Sequence, residues 1–171
     1  MLLRMTSFSN IEPRKLMDLY AESNLENAEE LYPDMDKDEA VKKVEADFLN
    51  YLDQIFFRST EPSYWIFEVD GQWVSALRLN RLKRDLYYLQ ALETRPDSRR
   101  KGYAVCLLRE VIEALKAEGP FRLCDCVAKW NEPSLQTHLK CGFEIVSDVG
   151  YDYLDGRASS RRYGMCYQFE P

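Results

Sequence analysis

The sequence predicts an α/β (α+β) fold, a mixed and mostly antiparallel central sheet of about seven strands flanked by helices. Three observations predict it. Between Ser63 and Thr94, apolar runs separated by short turns read as a three-stranded meander. The stretches before it and just after it place apolar residues at three- and four-residue intervals, the period of helices lying on a core. The chain then closes with a strand, a helix and two more strands, with no linker long enough to divide it, so residues 1–171 form one domain.

In chain order, Leu2–Thr6 reads as a short strand. Ile11, Leu16, Leu19 and Tyr20 then share helical spacing over Ile11–Leu25, with Asn10 as the expected cap. A second helix spans about Asp36 to Phe57, its stripe running through Ala40, Val44, Phe48, Tyr51, Leu52 and Ile55 and bracketed by Pro33 and Pro62. Trp65, Phe67 and Val69 alternate up to Asp70-Gly71, a dipeptide suited to the positive φ of a tight hairpin. The next strand runs to about Leu82, and Lys83-Arg84-Asp85 turns the chain into Leu86–Thr94.

After Pro96 the period changes, and Ala104, Val105, Leu107, Leu108, Val111, Ile112 and Leu115 mark a helix that stops before Gly119-Pro120. Phe121–Ala128 reads as a strand, Pro133–Cys141 as a short helix, and Phe143–Tyr153 and Tyr163–Phe169 as the last two strands.

Composition narrows the function. With 46% hydrophobic and 13% aromatic residues the chain has material for a sizeable core. A net charge of -6 argues against a surface that coats nucleic acid or acidic membranes, so any anion site must be local. The opening MLLRMTSFSN is too short in apolar residues for a signal peptide, and no window approaches the roughly 18 of a membrane span, which points to a cytoplasmic protein. Five cysteines in odd number, with Cys124-Asp125-Cys126 spaced too tightly for a zinc site and His138 as the sole histidine, read as reduced thiols and predict no metal.

The local anion site is RRKGYA, Arg99 to Ala104, at the junction of a strand and a helix. A helix N-terminus offers four backbone N–H groups without intrahelical partners and a partial positive charge, which together favour a phosphate or pyrophosphate. Gly102 and Ala104 keep that backbone approachable, while Arg99, Arg100 and Lys101 add charge. The loop matches neither GxxxxGK[ST] nor GxGxxG, which excludes the two common nucleotide loops.

RRKGYA fits the signature of the GNAT superfamily of N-acetyltransferases: an arginine or glutamine, two residues, glycine, one residue, then glycine or alanine. The stretch from Asn131 to Phe143 also resembles the family's asparagine, small residue, tyrosine, lysine and Gly-Phe arrangement, at a fitting distance downstream. The two motifs and the element order cover roughly residues 60–171.

The resemblance implies acetyl-CoA as donor, with its pyrophosphate on the amides of about Arg100 to Val105, Tyr103 among them. It also implies that the sheet is splayed between its fourth and fifth strands near Thr94 and Val127. The pantetheine arm would thread that gap, with Asn131 on the opposite side. Unpaired backbone groups on splayed strands can satisfy an amide-bearing arm as an added strand would, and Leu92 and Thr94 are the candidates. An exposed N–H near Leu92 would face the reacting carbonyl as an oxyanion-hole donor.

Two proton tasks follow: a cationic amine must lose a proton and the departing thiolate is better accepted when protonated. Glu93, beside the expected thioester, is the candidate base, the alternative being a surface carboxylate paired with Arg95. His138 stands where the family often carries a tyrosine acid. An imidazole with an ordinary pKa near 6.5 is competent for that role, and equally at home as a packed helix residue. Tyr103, Tyr151 and Tyr153 are further acids, and Asn131 reads equally as an N-cap.

The expected acceptor is an amine of a small molecule or peptide, with no nucleic acid and no membrane as partner and a homodimer left open. The acidic run Glu22, Glu26, Glu29, Glu30, Asp34, Asp36, Asp38 and Glu39 would draw a cation or merely form a solvated face. Arg157, Arg161 and Arg162 would favour an anion. The alternative to catalysis is a non-catalytic acyl-CoA-binding or sensing module.

Overall fold

The computed structural model describes residues 1–171. Strand β1 (Leu2–Met5) leads into a single turn of 3₁₀ helix over Phe8–Asn10 capped by Ser7, so Asn10 ends that turn and Glu12, not Asn10, stands at the N-cap of the helix that follows. The predicted helix over Ile11–Leu25 is instead two: α1 (Pro13–Leu19) and α2 (Ala21–Leu31). Pro13 opens α1 without a side-chain cap, which suits a residue with no N–H to satisfy. The break falls at Tyr20, whose buried hydroxyl donates to the Ala91 carbonyl at 2.9 Å and anchors the junction to the sheet. Helix α2 runs on to Leu31, just short of Pro33.

Asp36 caps α3 (Lys37–Gln54), accepting from the Asp38 and Glu39 N–H groups at 3.1 and 3.2 Å. The helix ends before the predicted Phe57, and Ile55 lies off the buried stripe with 59% of its surface exposed.

The meander is as read: β2 (Pro62–Val69), β3 (Gln72–Lys83) and β4 (Leu86–Thr94). Asp70 and Gly71 carry φ of 50° and 76°, the two positive values a tight primed hairpin turn requires. Helix α4 (Tyr103–Lys116), β5 (Phe121–Ala128) and α5 (Glu132–Lys140) follow.

The predicted strand Phe143–Tyr153 is broken. Strand β6 (Glu144–Ser147) stops where the Ser147 hydroxyl donates to the Val149 carbonyl and accepts from its N–H, folding the chain into a turn. Beyond it β7 (Gly150–Tyr151) and β8 (Ala158–Ser159) pair with each other as a separate hairpin before β9 (Arg162–Phe169).

Seven strands form the main sheet in the order β1-β2-β3-β4-β5-β9-β6, and β4–β5 is its one parallel pair. Alternation along the strands divides the core between the two faces. Trp65 and Leu77 face α4 and α5, where Leu107, Leu108, Val111, Ile112 and Leu115 form one buried stripe. Tyr64, Ile66 and Ala76 face the opposite way, onto Leu16 and Leu19 of α1 and Leu52 of α3. Each fully buried aliphatic side chain contributes about 1.5–3 kcal/mol, so both layers hold the sheet firmly. No helix is long and apolar enough to cross a membrane.

Candidate active site

The parallel pair β4–β5 is short: Leu86, Tyr87 and Tyr88 oppose Arg122, Leu123 and Cys124, and pairing stops there. Strand β4 continues on β3 to Thr94, and β5 continues on β9 to Ala128, so the two strands part. A bulge explains the parting on the β4 side. Ala76 opposes Glu93 and Arg78 opposes Gln90, which leaves Ala91 and Leu92 together across from Leu77. Ala91 takes a φ of 51°, the kink such a bulge needs.

At the end of β4, Pro96–Ser98 make one turn and the RRKGYA loop begins. Arg100 and Gly102 have φ of 60° and 82°. Gly102 occupies the N-cap of α4 with no side chain to satisfy the helix, and the first amide bonded back onto it is that of Cys106. The Tyr103, Ala104 and Val105 amides are thus left without helical partners. A Cβ added at Gly102 would meet nothing within 4 Å, so the space beside these donors is open. An amide nest at a helix N-terminus with open space beside it fits a pyrophosphate.

The cations of the loop do not act as one group. The Arg99 guanidinium turns back over β4, donating to the Thr94 carbonyl and Glu93 at 3.2 and 3.1 Å and pairing with Glu22. Lys101 donates to the Asp97 carbonyl at 3.1 Å. Arg100 is exposed beside the nest, Tyr103 lays its ring near Phe67 with centroids 6.0 Å apart, and Val105 packs on the core.

On the other side of the gap, the Asn131 carboxamide accepts from the Ser134 N–H at 3.2 Å, which makes it the N-cap of α5. His138 has no exposed surface. Its Nδ1 lies 2.8 Å from the Ser134 carbonyl and its Nε2 lies 2.9 Å from Asp125 Oδ2, the latter off the ring N–H axis and so an ion contact rather than an aligned hydrogen bond. Burial pulls the imidazole pKa down, but the Asp125 carboxylate and the Ser134 carbonyl outweigh it and hold the group above its ordinary value. With oxygens facing both nitrogens, the doubly protonated cation is the form that suits the site. Asp125 is the first β5 residue past the last pair with β4, so this contact sits where the strands begin to part. No motif marks Asp125 in the sequence; a lone acid inside the apolar run FRLCDCVA is the one signal there.

Glu93 faces the opposite side of β4. It accepts from Ser23 Oγ at 2.8 Å and from Arg99, while Arg95 pairs with Asp97 at 3.0 Å, so the pairing of Glu93 with Arg95 considered from sequence does not form. The reason is the turn after Thr94, which carries Arg95 toward Asp97 and brings Arg99 back over β4.

Around Glu93 opens a cleft of about 480 Å³ between α2, α3 and the β3–β4 face, lined among others by Tyr20, Ser23, Asn24, Tyr51, Arg78 and Ala91. Tyr64 donates to the Tyr20 hydroxyl at 2.8 Å, and Tyr20 in turn holds the bulge at Ala91. Burial pushes the Tyr64 hydroxyl up to about 12, against the pull of the Arg78 charge. None of Tyr20, Ser23, Asn24 or Arg78 stood out in the sequence as a site residue, since no local pattern marks them.

Of the acidic run, Glu22 joins this cluster through Arg99, and Glu29 pairs with Lys37 at 3.6 Å on the outside. Arg157 pairs with Asp155 at 3.6 Å, and Arg162 reaches the Cys126 carbonyl at 3.4 Å. Tyr153 packs tilted against Tyr88 and edge-on against Tyr151, with ring centroids at 5.4 and 5.1 Å. All five cysteines are free, and Cys124 and Cys166 face each other across β5 and β9 with sulfurs 3.4 Å apart. No group of three His, Cys, Asp or Glu side chains is placed to hold a metal ion.

The fold is shared with known proteins. Solved structures of similar fold include the PaiA N-acetyltransferase of Thermoplasma acidophilum in complex with coenzyme A, with 15% identity, 99% of each chain covered and a TM-score of 0.64. The ribosomal-protein-S18-alanine N-acetyltransferase of Escherichia coli superposes at 17% identity over 100% of this chain and 96% of that one, with a TM-score of 0.62. An aminoglycoside 6'-acetyltransferase of type Ii matches at 14% identity over 100% and 98%, with a TM-score of 0.64. No curated protein matches the chain significantly. The model of the acetyltransferase (GNAT) family matches residues 14–143, most of the chain, and the chain therefore belongs to the GNAT acetyltransferases, which are acyltransferases.

Proposed function

We propose that residues 1–171 form one acyltransferase domain that moves an acetyl group from acetyl-CoA directly to an amine of a small molecule or peptide. One observation carries the reading: the bulge at Ala91–Leu92 is shared by two openings, the parted strands on one side and the Glu93 cleft on the other. Donor and acceptor brought to a common point need no covalent enzyme intermediate.

Acetyl-CoA would supply an activated thioester. The amides of Tyr103, Ala104 and Val105, with Arg100 and Lys101 beside them, would hold its pyrophosphate. The free edge of β4 at Leu92 and Thr94 would align its arm, with Asn131 opposite, and the Leu92 N–H would face the reacting carbonyl. Arg99 contributes through Glu93, which it orients together with Ser23. Glu93 would take the proton from the incoming ammonium, directly or through a water. His138, enclosed and held by Asp125, enters as a positioning residue at the root of the gap.

A non-catalytic acyl-CoA-binding module is the second reading, favoured by the enclosure of His138 where the family often has a tyrosine acid. Calorimetry with acetyl-CoA and thiol release across a panel of amines test both. Binding with amine-dependent thiol release is expected. Binding without release under any amine would leave the sensing reading, and absence of binding would overturn both.

A further inference from the structure

The acceptor cleft contains a cation that the mechanism above does not use. Arg78 lies on β3 in register with Tyr64 and Gln90, and its side chain lines the cleft. Its guanidinium carbon stands 5.1 Å from the Tyr51 ring centre, 5.5 Å from Phe56 and 6.0 Å from Phe48. Its Nε and Nη1 are buried and neither has a hydrogen-bond partner. That leaves Nη2 as the nitrogen open to a molecule entering the cleft.

The other part-buried arginines are neutralised, Arg81 by Glu61 and Glu118 and Arg95 by Asp97, whereas the remaining arginines without an ion pair, such as Arg14, Arg58 and Arg84, are exposed. Arg78 has no such partner although two carboxylates line the same cleft. Glu93 is engaged by Arg99 and Ser23, and Asp47 accepts from the Tyr32 hydroxyl. A part-buried cation with unpaired donors is costly, and contact with ring faces offsets only part of that cost. The rings fix the guanidinium in place without using its donors, as an anion site requires.

The position of the cation relative to Glu93 supplies the rest. Ala76 is the β3 partner of Glu93, and Arg78 is two residues further along β3, so both charged groups lie on one sheet face, separated by roughly 7 Å of strand. The reacting amine must meet the bulge beside Glu93, so an acidic group on the same molecule would fall toward Arg78.

From this, and resting on the acetyl-transfer reading, we infer that the acceptor is an amine carrying a carboxylate, an amino acid or close analogue, with the carboxylate on Arg78 and the amine at Glu93. A carboxylate suits the site better than a phosphate dianion. A single guanidinium is available, and Glu93 and Asp47 line the same walls and repel a second negative charge.

The test uses matched acceptors that differ only in the acid: amino acids, their carboxamides, their phosphonate analogues and simple alkylamines of equal length. Each is titrated calorimetrically into the protein saturated with CoA and assayed by thiol release with acetyl-CoA. Wild type should favour a carboxylate over its carboxamide by at least about tenfold, in affinity and in kcat/KM. In Arg78→Met the ratio should fall to about 1, and Arg78→Lys should keep part of it.

Equal binding of acid and carboxamide by wild type would overturn the inference, as would a preference that survives in Arg78→Met. Preference for the phosphonate would overturn the carboxylate assignment. The wild-type ratio does not depend on how well a variant folds. Because the binding ratio is read without turnover, failure of acetyl transfer itself shows separately, as selective binding with no thiol release.

Discussion

The two sides of the bulge at Ala91 are built from different materials. The proposed donor side is backbone: the amides that open α4, a glycine at φ 82°, and the edges of two strands that stop pairing. The proposed acceptor side is side chains, Tyr20 and Ser23 from the first helices, Arg78 from β3 and Glu93 from β4, brought together by tertiary packing. Backbone recognition tolerates sequence drift wherever the chain path survives. Side-chain recognition changes with each substitution. A single fold can thus keep its donor and vary its acceptor, and substitutions on the two sides should separate in the parameters they move.

The largest effect should come from Gly102→Glu. The new carboxylate would stand beside the unpaired amides of α4 and repel a phosphate. Losing two charge-assisted hydrogen bonds of about 2 kcal/mol each corresponds to roughly a thousandfold weaker acetyl-CoA binding by calorimetry. Gly102→Ala separates charge from strain. No atom lies within 4 Å of the added Cβ, so only the positive φ opposes it, at about 1–2 kcal/mol. Equal losses in the two variants would mean that backbone conformation, and not charge, decides donor binding.

The same contrast governs what the sequence could disclose. RRKGYA, the hairpin at Asp70-Gly71 and the strand Phe121–Ala128 are local, since a turn, a cap or an alternation is encoded within a few neighbouring residues. Glu93 was legible because it lies near the C-terminal end of the strand that leads into the loop. Arg78 was not, because nothing near it in sequence says that Tyr51 and Phe56, more than twenty positions earlier, will stack on it. The partner of Glu93 was misjudged for a related reason: the turn after Thr94 decides between Arg95 and Arg99. The long strand expected over Phe143–Tyr153 failed on a single serine, whose two bonds to Val149 turn the chain before its alternation runs out.

A second test concerns the root of the donor gap. His138→Phe keeps the ring against Phe143, now 4.9 Å between centroids, but strips Asp125 of its cation. Breaking one side of a buried pair should cost about 3 kcal/mol. The pH dependence gives the sign. The folded imidazole titrates above its ordinary value, so its contribution is complete below the unfolded pKa of about 6.5 and is lost as pH rises through the raised folded value. Thermal unfolding from pH 5.5 to 9 should show the gap between wild type and variant widest at the acid end. A gap that stays constant or widens toward alkaline pH would show that the pair is not held as imidazolium and carboxylate.

Glu93→Gln probes the acceptor side with little change of shape. Loss of a general base should lower kcat/KM for the amine by about a hundredfold, leaving acetyl-CoA affinity close to wild type. Ser23→Ala, which removes a 2.8 Å hydrogen bond and no charge, should cost severalfold in the same assay. If Glu93→Gln instead weakens acetyl-CoA binding and spares turnover, the carboxylate acts only by anchoring Arg99 beside the loop.

The smallest change tests whether the two sides are independent. Tyr20→Phe removes the hydroxyl that donates to the Ala91 carbonyl and receives the Tyr64 proton, leaving the buried Tyr64 hydroxyl and the Ala91 carbonyl without these partners. The loss of stability should be about 1–2 kcal/mol, read from thermal unfolding. Its kinetic consequence is the informative part, because Tyr20 lines the acceptor cleft while the residue it holds begins the bulge that frees β4 from β5. If that hydrogen bond sets the bulge, acetyl-CoA affinity should fall by about threefold along with the amine KM, even though Tyr20 faces away from the donor gap. If only the amine KM moves, the bulge is held by the β3 register alone, and donor and acceptor sites are separable down to the strand they share.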